Sequence, residues 1–388
     1  MAKQNYTPVL FLSSLWAWWL SISFFMYLMF MTEHKTLIPT FDTLSVYFLN
    51  SQDSSIWIKI LIIISIIWIL FFAFKHFQLL FWNLKQFFSF KKTEEYKALK
   101  SSNQEVSLMA IPLTLAMTIN VIFVLWAVFI PKLWTVVEYL FPMALLAFAA
   151  VWFLALKIYL EYFSRLILKW DLDFVKNNNL TQMVAVFAFS MIWVWFAAPA
   201  AMSHTELTAV IGLIWSIFFI TISIVLAILK FILWFKSIFE HWINKEAAPT
   251  LWILIPILTL IWISLIRQTH WFNHTFGSQI IAHDNFVLTT VIISLQLFFW
   301  FIWYKVMKAN NYFEEFVNWD KRSPWSFALI CPWVAFFVFW FFFIHIGFVK
   351  TWLVEPGSIT YFLMLLPLIY IQFITIKVMF KLTKKIFW

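Results

Sequence analysis

Apolar runs of about 20 residues recur from one end of this chain to the other. A helix of that length crosses a hydrocarbon layer ~30 Å thick. Inside such a layer every backbone N–H and C=O needs a partner within the protein, so only helices and closed barrels can span it. No run shows the strict alternation of a barrel strand. The sequence therefore predicts an all-α integral membrane protein. Ten spans can be drawn, at approximately 8–31, 56–77, 108–130, 134–158 and 181–202, then 208–229, 249–266, 286–307, 325–348 and 359–380. They make residues 1–388 a single ten-helix transmembrane domain.

Composition narrows the function classes. The chain is 64% hydrophobic and 12% charged, against about 25% charged residues in soluble proteins, and its mean hydropathy is +0.88. A cytosolic enzyme, a disulfide-built secreted domain and a nucleic-acid binder are excluded. Cys331 is the single cysteine, which rules out an intramolecular disulfide and a cysteine-built zinc site. No small-x-small cleavage site stands out after Met1-Ala2-Lys3 and the first apolar run, so a retained first helix is expected rather than a removed signal peptide.

The basic residues set an orientation. All but five of the 27 Lys and Arg lie at the termini or in the connections after even-numbered spans; Lys35, Lys59, Lys132, Arg267 and Lys350 lie on the other side. Such an excess marks the cytoplasmic face. Both termini are then cytoplasmic, in a multi-pass protein of the cell (inner) membrane, and the net charge of +9 is mostly a topology signal. Short outer links around Pro131-Lys132, Ser203-His204-Thr205 and Val354-Glu355-Pro356 make consecutive helices antiparallel neighbours. The expected architecture is five helical hairpins inserted in the same sense, a parallel repeat around a central pore.

Two counts are abnormal. The chain has 4 glycines and 26 tryptophans, where average usage of ~7% predicts roughly 27 glycines. Tryptophan crowds Ser-Leu-Trp-Ala-Trp-Trp (14–19) and Ile-Trp-Val-Trp-Phe-Ala-Ala-Pro (192–199), and Trp126, Trp152 and Trp193 sit mid-span. Tryptophan normally gathers in belts at helix ends. One reading is that many of these residues are glycine codons decoded with the wrong table, since some bacteria reassign UGA to glycine. Genuine interfacial tryptophan is the other.

Candidate chemistry is sparse. Glu138, His345 and Lys59 lie near outer span ends, where interfacial roles are commonest, and Lys132 is placed to pair with Glu138. No deep acidic or basic cluster appears, which weighs against a proton- or sodium-driven transporter and a redox pump. His270 and His274 stand four apart, with His283 and Asp284 further along. On a helix such a pair can share a metal-ligand face, yet Asn273 and Gly277 interrupt the segment, and structural loop histidines are expected. No metal and no cofactor is predicted.

Uncharged polar groups and kink prolines say more. Pro112, Thr114, Thr118 and Asn120 share the third span; Pro199 stands among small residues in the fifth, which opens at Asn177-Asn178-Asn179; Pro256 and Pro332 lie in the seventh and ninth. These are the candidate pore-lining residues. Interhelical hydrogen bonding is the competing role for the polar ones, and ordinary proline usage for the kinks. A largely apolar lumen with a few hydroxyls and amides fits weakly hydrated anions. Cys331, beside Pro332, is either a gating or redox position or an inert buried thiol.

Ile111-Pro-Leu-Thr-Leu-Ala-Met-Thr-Ile-Asn120, with Phe123-Val-Leu to Pro131, resembles the third helix of the tellurite-resistance/dicarboxylate transporters, the family that includes plant slow anion channels. Val194-Trp-Phe-Ala-Ala-Pro-Ala-Ala-Met202 resembles the fifth helix, and the ten-helix plan agrees over the whole chain. Within that family it looks like a bacterial branch with selenoprotein-type members. The resemblance implies a homotrimer, each protomer with its own pore lined by the odd helices, passing chloride- or nitrate-like anions, dicarboxylates, or oxyanions such as tellurite or sulfite. It also implies a gating phenylalanine beside the proline matching Pro332. This sequence has Cys331 there, so Phe336 and Phe337, a turn further on, are the other gate candidates. Trp193, Trp195 and Trp333 stand where glycine would open the lumen. The expected function is an anion channel or facilitator, not an enzyme. A membrane redox or sulfur/selenium-handling protein using Cys331 is the alternative, and a purely structural subunit the third.

Overall fold

A computed structural model describes residues 6–49, 55–169, 180–241, 243–276 and 282–387. Among these residues there is no strand, and ten helices are long and apolar enough to span a membrane. They are α1 (Pro8–Met31), α2 (Ile56–Phe90), α3 (Asn103–Phe129), α4 (Leu133–Leu168), α5 (Met183–Met202), α6 (Glu206–Glu240), α7 (Ala248–Asn273), α8 (Asp284–Ala309), α9 (Pro324–Val349) and α10 (Ile359–Phe387). Asn177, Asn178, Asn179 and Gly277 lie outside the described residues, as do the side chains of His274 and His283.

The helices sort into two layers by burial. The most apolar stretch of each odd-numbered helix is 67–94% buried, while that of each even-numbered helix is only 22–33% buried. Contacts run from α1 to α3, α3 to α5, α5 to α7, α7 to α9 and α9 back to α1, closing an inner ring of five. The even helices pack outside it and turn isoleucine, leucine and phenylalanine outward. In water such a surface is untenable; in lipid it is the ordinary solvent-facing side.

The five inner helices also begin alike. Each opens with 3₁₀ turns, at Pro8–Leu10, Asn103–Met109, Leu180–Gln182, Ala248–Ile253 and Pro324–Leu329, and these starts touch one another in a second closed ring. Local sequence explains the starts. Pro8, Pro249 and Pro324 stand in the first turn, where a missing N–H costs nothing and the fixed φ suits a helix. Ser102 and Ser323 accept the N–H groups of Gln104 and Trp325 as caps.

Every outer helix is tied to the ring through a buried polar contact. His76 of α2 donates from Nδ1 to Ser14 O (2.9 Å), and its Nε2 meets Thr118 Oγ1 at 3.0 Å. Arg165 of α4 donates to Glu105 of α3 at 2.9 Å. Gln268 of α7 donates to Ser216 of α6 at 3.0 Å, and Gln296 of α8 to Thr259 of α7 at 2.9 Å. Gln372 of α10 donates to Ser23 and accepts from Tyr27, both on α1. In a bilayer such pairs fix register, because an unpaired amide finds no water.

Two expectations need adjusting. Helices α2, α4 and α6 continue to Phe90, Leu168 and Glu240, about three turns past the ends of their apolar runs. At 35 residues, α2 and α6 are roughly 52 Å long and project beyond a ~30 Å core. The apolar pattern stops at the first lysines, but helix propensity does not, since Lys, Gln and Leu are all good helix formers. Glu138 serves the α5–α6 turn instead of Lys132: its carboxylate accepts from Ser203 Oγ (2.7 Å), the His204 N–H (2.7 Å) and Thr205 Oγ1 (3.1 Å).

Candidate functional site

Two separate cavities lie within the inner ring, and all five inner helices line each of them. The lower, near the 3₁₀ starts, measures about 20 Å³ and is walled by apolar side chains, Thr250 excepted. It has room for about one water. The upper measures about 170 Å³, room for several waters at about 30 Å³ each.

Each helix contributes lining residues mostly at spacings of three and four. Leu12, Trp16, Trp19, Ile22, Met26 and Met29 come from α1; Leu113, Met117, Asn120 and Val124 from α3. Val184, Phe187, Met191, Val194 and Met202 line it from α5. From α7 come Pro249, Ile253, Pro256, Leu260, Ile263 and Arg267, and from α9 Ala328, Cys331, Val338 and Phe342. Spacings of three and four keep residues on one helix face, and Phe25, Phe123, Trp195, Thr250 and Pro332 widen those faces by one position each.

Aromatic bulk divides the two cavities. Trp16 lines the lower one and Trp19 the upper. Phe187 stacks on Trp16 at 5.9 Å between ring centroids and lies 6.4 Å from Trp19. The indole N–H groups of Trp16, Trp19, Trp193 and Trp195 are buried with no acceptor among the described residues. Each such orphan costs about 1–3 kcal/mol. By contrast the Trp18 N–H is well used, donating to Asn120 Oδ1 at 2.6 Å.

One charged residue lines these cavities, Arg267. It donates from Nη1 to Val194 O at 2.7 Å, and its guanidinium lies over the Trp195 ring, 5.2 Å from the centroid. Among the described residues no carboxylate pairs with it. A guanidinium has five N–H donors, and a cation held away from carboxylates in apolar surroundings gains most from an anion. Asn120 adds a second polar side chain to the same upper cavity, and five methionines supply polarizable walls.

The sequence candidates divide into those that line the cavities and those that pack between helices. Asn120, Pro256, Cys331 and Pro332 line the cavities. Thr114 and Thr118 do not: each is one position from the Leu113–Met117 stripe, a rotation of about 100°. Thr114 donates to Phe11 O and Ala110 O, and Thr118 to Thr114 O while meeting His76. Pro112 is buried beside that stripe, and Pro199 packs at Gly212 of α6. Phe336 packs on Trp300 at 4.7 Å and Phe337 on Tyr27 at 5.8 Å, between helices rather than among the cavity-lining residues. Arg267 escaped the sequence reading, having been counted only as one of the few basic residues on the outer side. Its signal was an arginine directly following the apolar run Leu260–Ile266, at the three-and-four spacing set by Pro256, Leu260 and Ile263.

Among the described residues no group of three His, Cys, Asp or Glu side chains gathers as for a metal ion. Compared with known proteins, the chain matches no family model, no curated protein and no solved structure.

Proposed function

We propose that this multi-pass membrane protein is a channel or facilitator for small anions, with its path along the axis of the inner ring. The observation that carries the reading is Arg267, the only charged side chain lining either axial cavity and unpaired with any carboxylate among the described residues. The upper cavity then serves as an anion-binding station and the Trp16–Phe187–Trp19 cluster as the closed constriction below it. Five parallel hairpins around a central pore, cytoplasmic termini and a homotrimer in the inner membrane belong to the same reading. They are supported by the lysine distribution and by the resemblance of the third and fifth helices to the tellurite-resistance/dicarboxylate transporters. No enzymatic step and no cofactor enters it.

The test is anion flux in proteoliposomes without a proton gradient. Arg267→Gln is expected to lower flux at least tenfold, with Arg267→Lys intermediate because a point charge replaces a fork of donors. Flux unchanged in Arg267→Gln overturns the proposal. Cys331→Ser separates the thiol alternative: the anion path predicts flux within twofold of the parent, whereas a thiol mechanism predicts loss of activity.

A further inference from the structure

Outside the ring, α8 and α10 leave a trough between them, floored by Leu329, Ile330 and Trp333 of α9. It measures about 770 Å³. Its walls are apolar, with Trp300 and Tyr304 on one side and Ile371 and Ile374 on the other. The α10 wall runs from Pro367 to Val378, about 16 Å at 1.5 Å per residue. That is close to half of a ~30 Å hydrocarbon core, the depth of one leaflet. The mouth opens at the lysine-rich end of the helices, where Lys308, Asn311 and Glu314 line it.

The mouth carries both signs of charge. Lys308 is exposed, and its ammonium has no acceptor or ion pair among the described residues. Glu314 is exposed, and among the described residues its carboxylate accepts only from Asn318 Nδ2, at 3.1 Å. We propose that this trough holds one phospholipid of the lysine-side leaflet, its acyl chain along α9 and its headgroup between Lys308 and Glu314. The complementary headgroup has a phosphate for Lys308 and a primary ammonium for Glu314, which is an ethanolamine phospholipid. A purely anionic headgroup satisfies Lys308 and sets its charge against Glu314. The inference rests on the ten spans and not on the anion path, so the two stand or fall separately.

Native mass spectrometry of the purified full-length chain, delipidated and reloaded with phosphatidylethanolamine or phosphatidylglycerol, tests it. The expected result is one ethanolamine lipid retained per protomer, at least fivefold over the glycerol lipid. Lys308→Gln and Glu314→Gln should each cut that preference severalfold at an unchanged unfolding temperature. Ile374→Trp, which fills the trough without touching its mouth, should cut retention of both lipids. Equal retention of the two lipids, or retention indifferent to all three variants, overturns the proposal. So does a disulfide between two copies of a Thr375→Cys variant, which makes the trough a protein interface.

Discussion

Trp16 and Phe187 stack face to face, 22° from parallel, at the point where the axial cavities fail to meet. Trp19 flanks the pair from above. Two of these three side chains belong to the tryptophan excess noted in the sequence, and both waste their N–H groups. Trp16→Gly with Trp19→Gly removes two indoles and joins the cavities. Proteoliposome flux should rise at least tenfold over the parent, and no change would show that the block lies elsewhere. Peptide mass spectrometry of protein from its native host, covering residues 16, 19, 193 and 195, decides whether that glycine form is the natural one.

On the proposed path the upper cavity offers an anion one guanidinium, one amide, the indoles of Trp19 and Trp195, and otherwise thioether and hydrocarbon. Such walls replace little of a hydration shell, so the desolvation cost decides what passes. Thiocyanate and nitrate are expected to permeate faster than chloride, and sulfate at least tenfold slower than chloride. The check is reversal potentials under bi-ionic conditions; a preference for sulfate would contradict the geometry.

Arg165 and Glu105 form a nearly buried pair between α4 and α3, side-chain exposures 11% and 3%, with Arg165 also donating to Ser102 O. Removing Arg165 leaves Glu105 with Lys100 alone, at 3.4 Å, so the loss stays below the about 3–5 kcal/mol of a fully stranded buried charge. Arg165→Met should therefore lower the unfolding temperature in detergent substantially. The double variant Arg165→Met with Glu105→Leu should recover much of the loss, since no lone charge remains.

Glu315 ties two connections on the lysine-rich side, accepting from Lys245 at 2.5 Å and Lys321 at 2.6 Å. Hydrogen bonds from those two ammonium groups hold its carboxyl below the usual range. A carboxyl depressed by folding stabilises the fold above its ordinary pKa and loses that contribution as pH falls through the folded value. The parent should therefore lose more thermal stability between pH 7 and pH 3 than Glu315→Gln does. Equal losses would mean that the tie contributes nothing.

Ten spans were legible because apolar length and lysine bias are properties of whole segments, insensitive to a residue of error. Which edge of each inner helix meets the axis was not. A helix buried on every side carries no polar face to mark its direction, and α5 from Met183 to Pro199 is buried at all but Trp195. Thr114 and Thr118 were attractive because hydroxyls suit a lumen, yet their hydroxyls are consumed by backbone carbonyls. Asn120 does line the upper cavity, and an amide with four hydrogen-bonding positions is not exhausted by the Trp18 bond. Cys331 and Pro332, singled out as a thiol beside a kink proline, both line the lower cavity.

The ring of 3₁₀ starts has an electrical meaning. Pro8, Asn103, Leu180, Ala248 and Pro324 begin five helices at one end of a shared axis, and each helix start carries roughly half a positive elementary charge. The opposite mouth collects five carbonyl ends, countered by Arg267 alone among the cavity-lining residues. On the proposed anion path the current is therefore expected to rectify: in symmetric salt it should run more readily from the lysine-rich side than toward it.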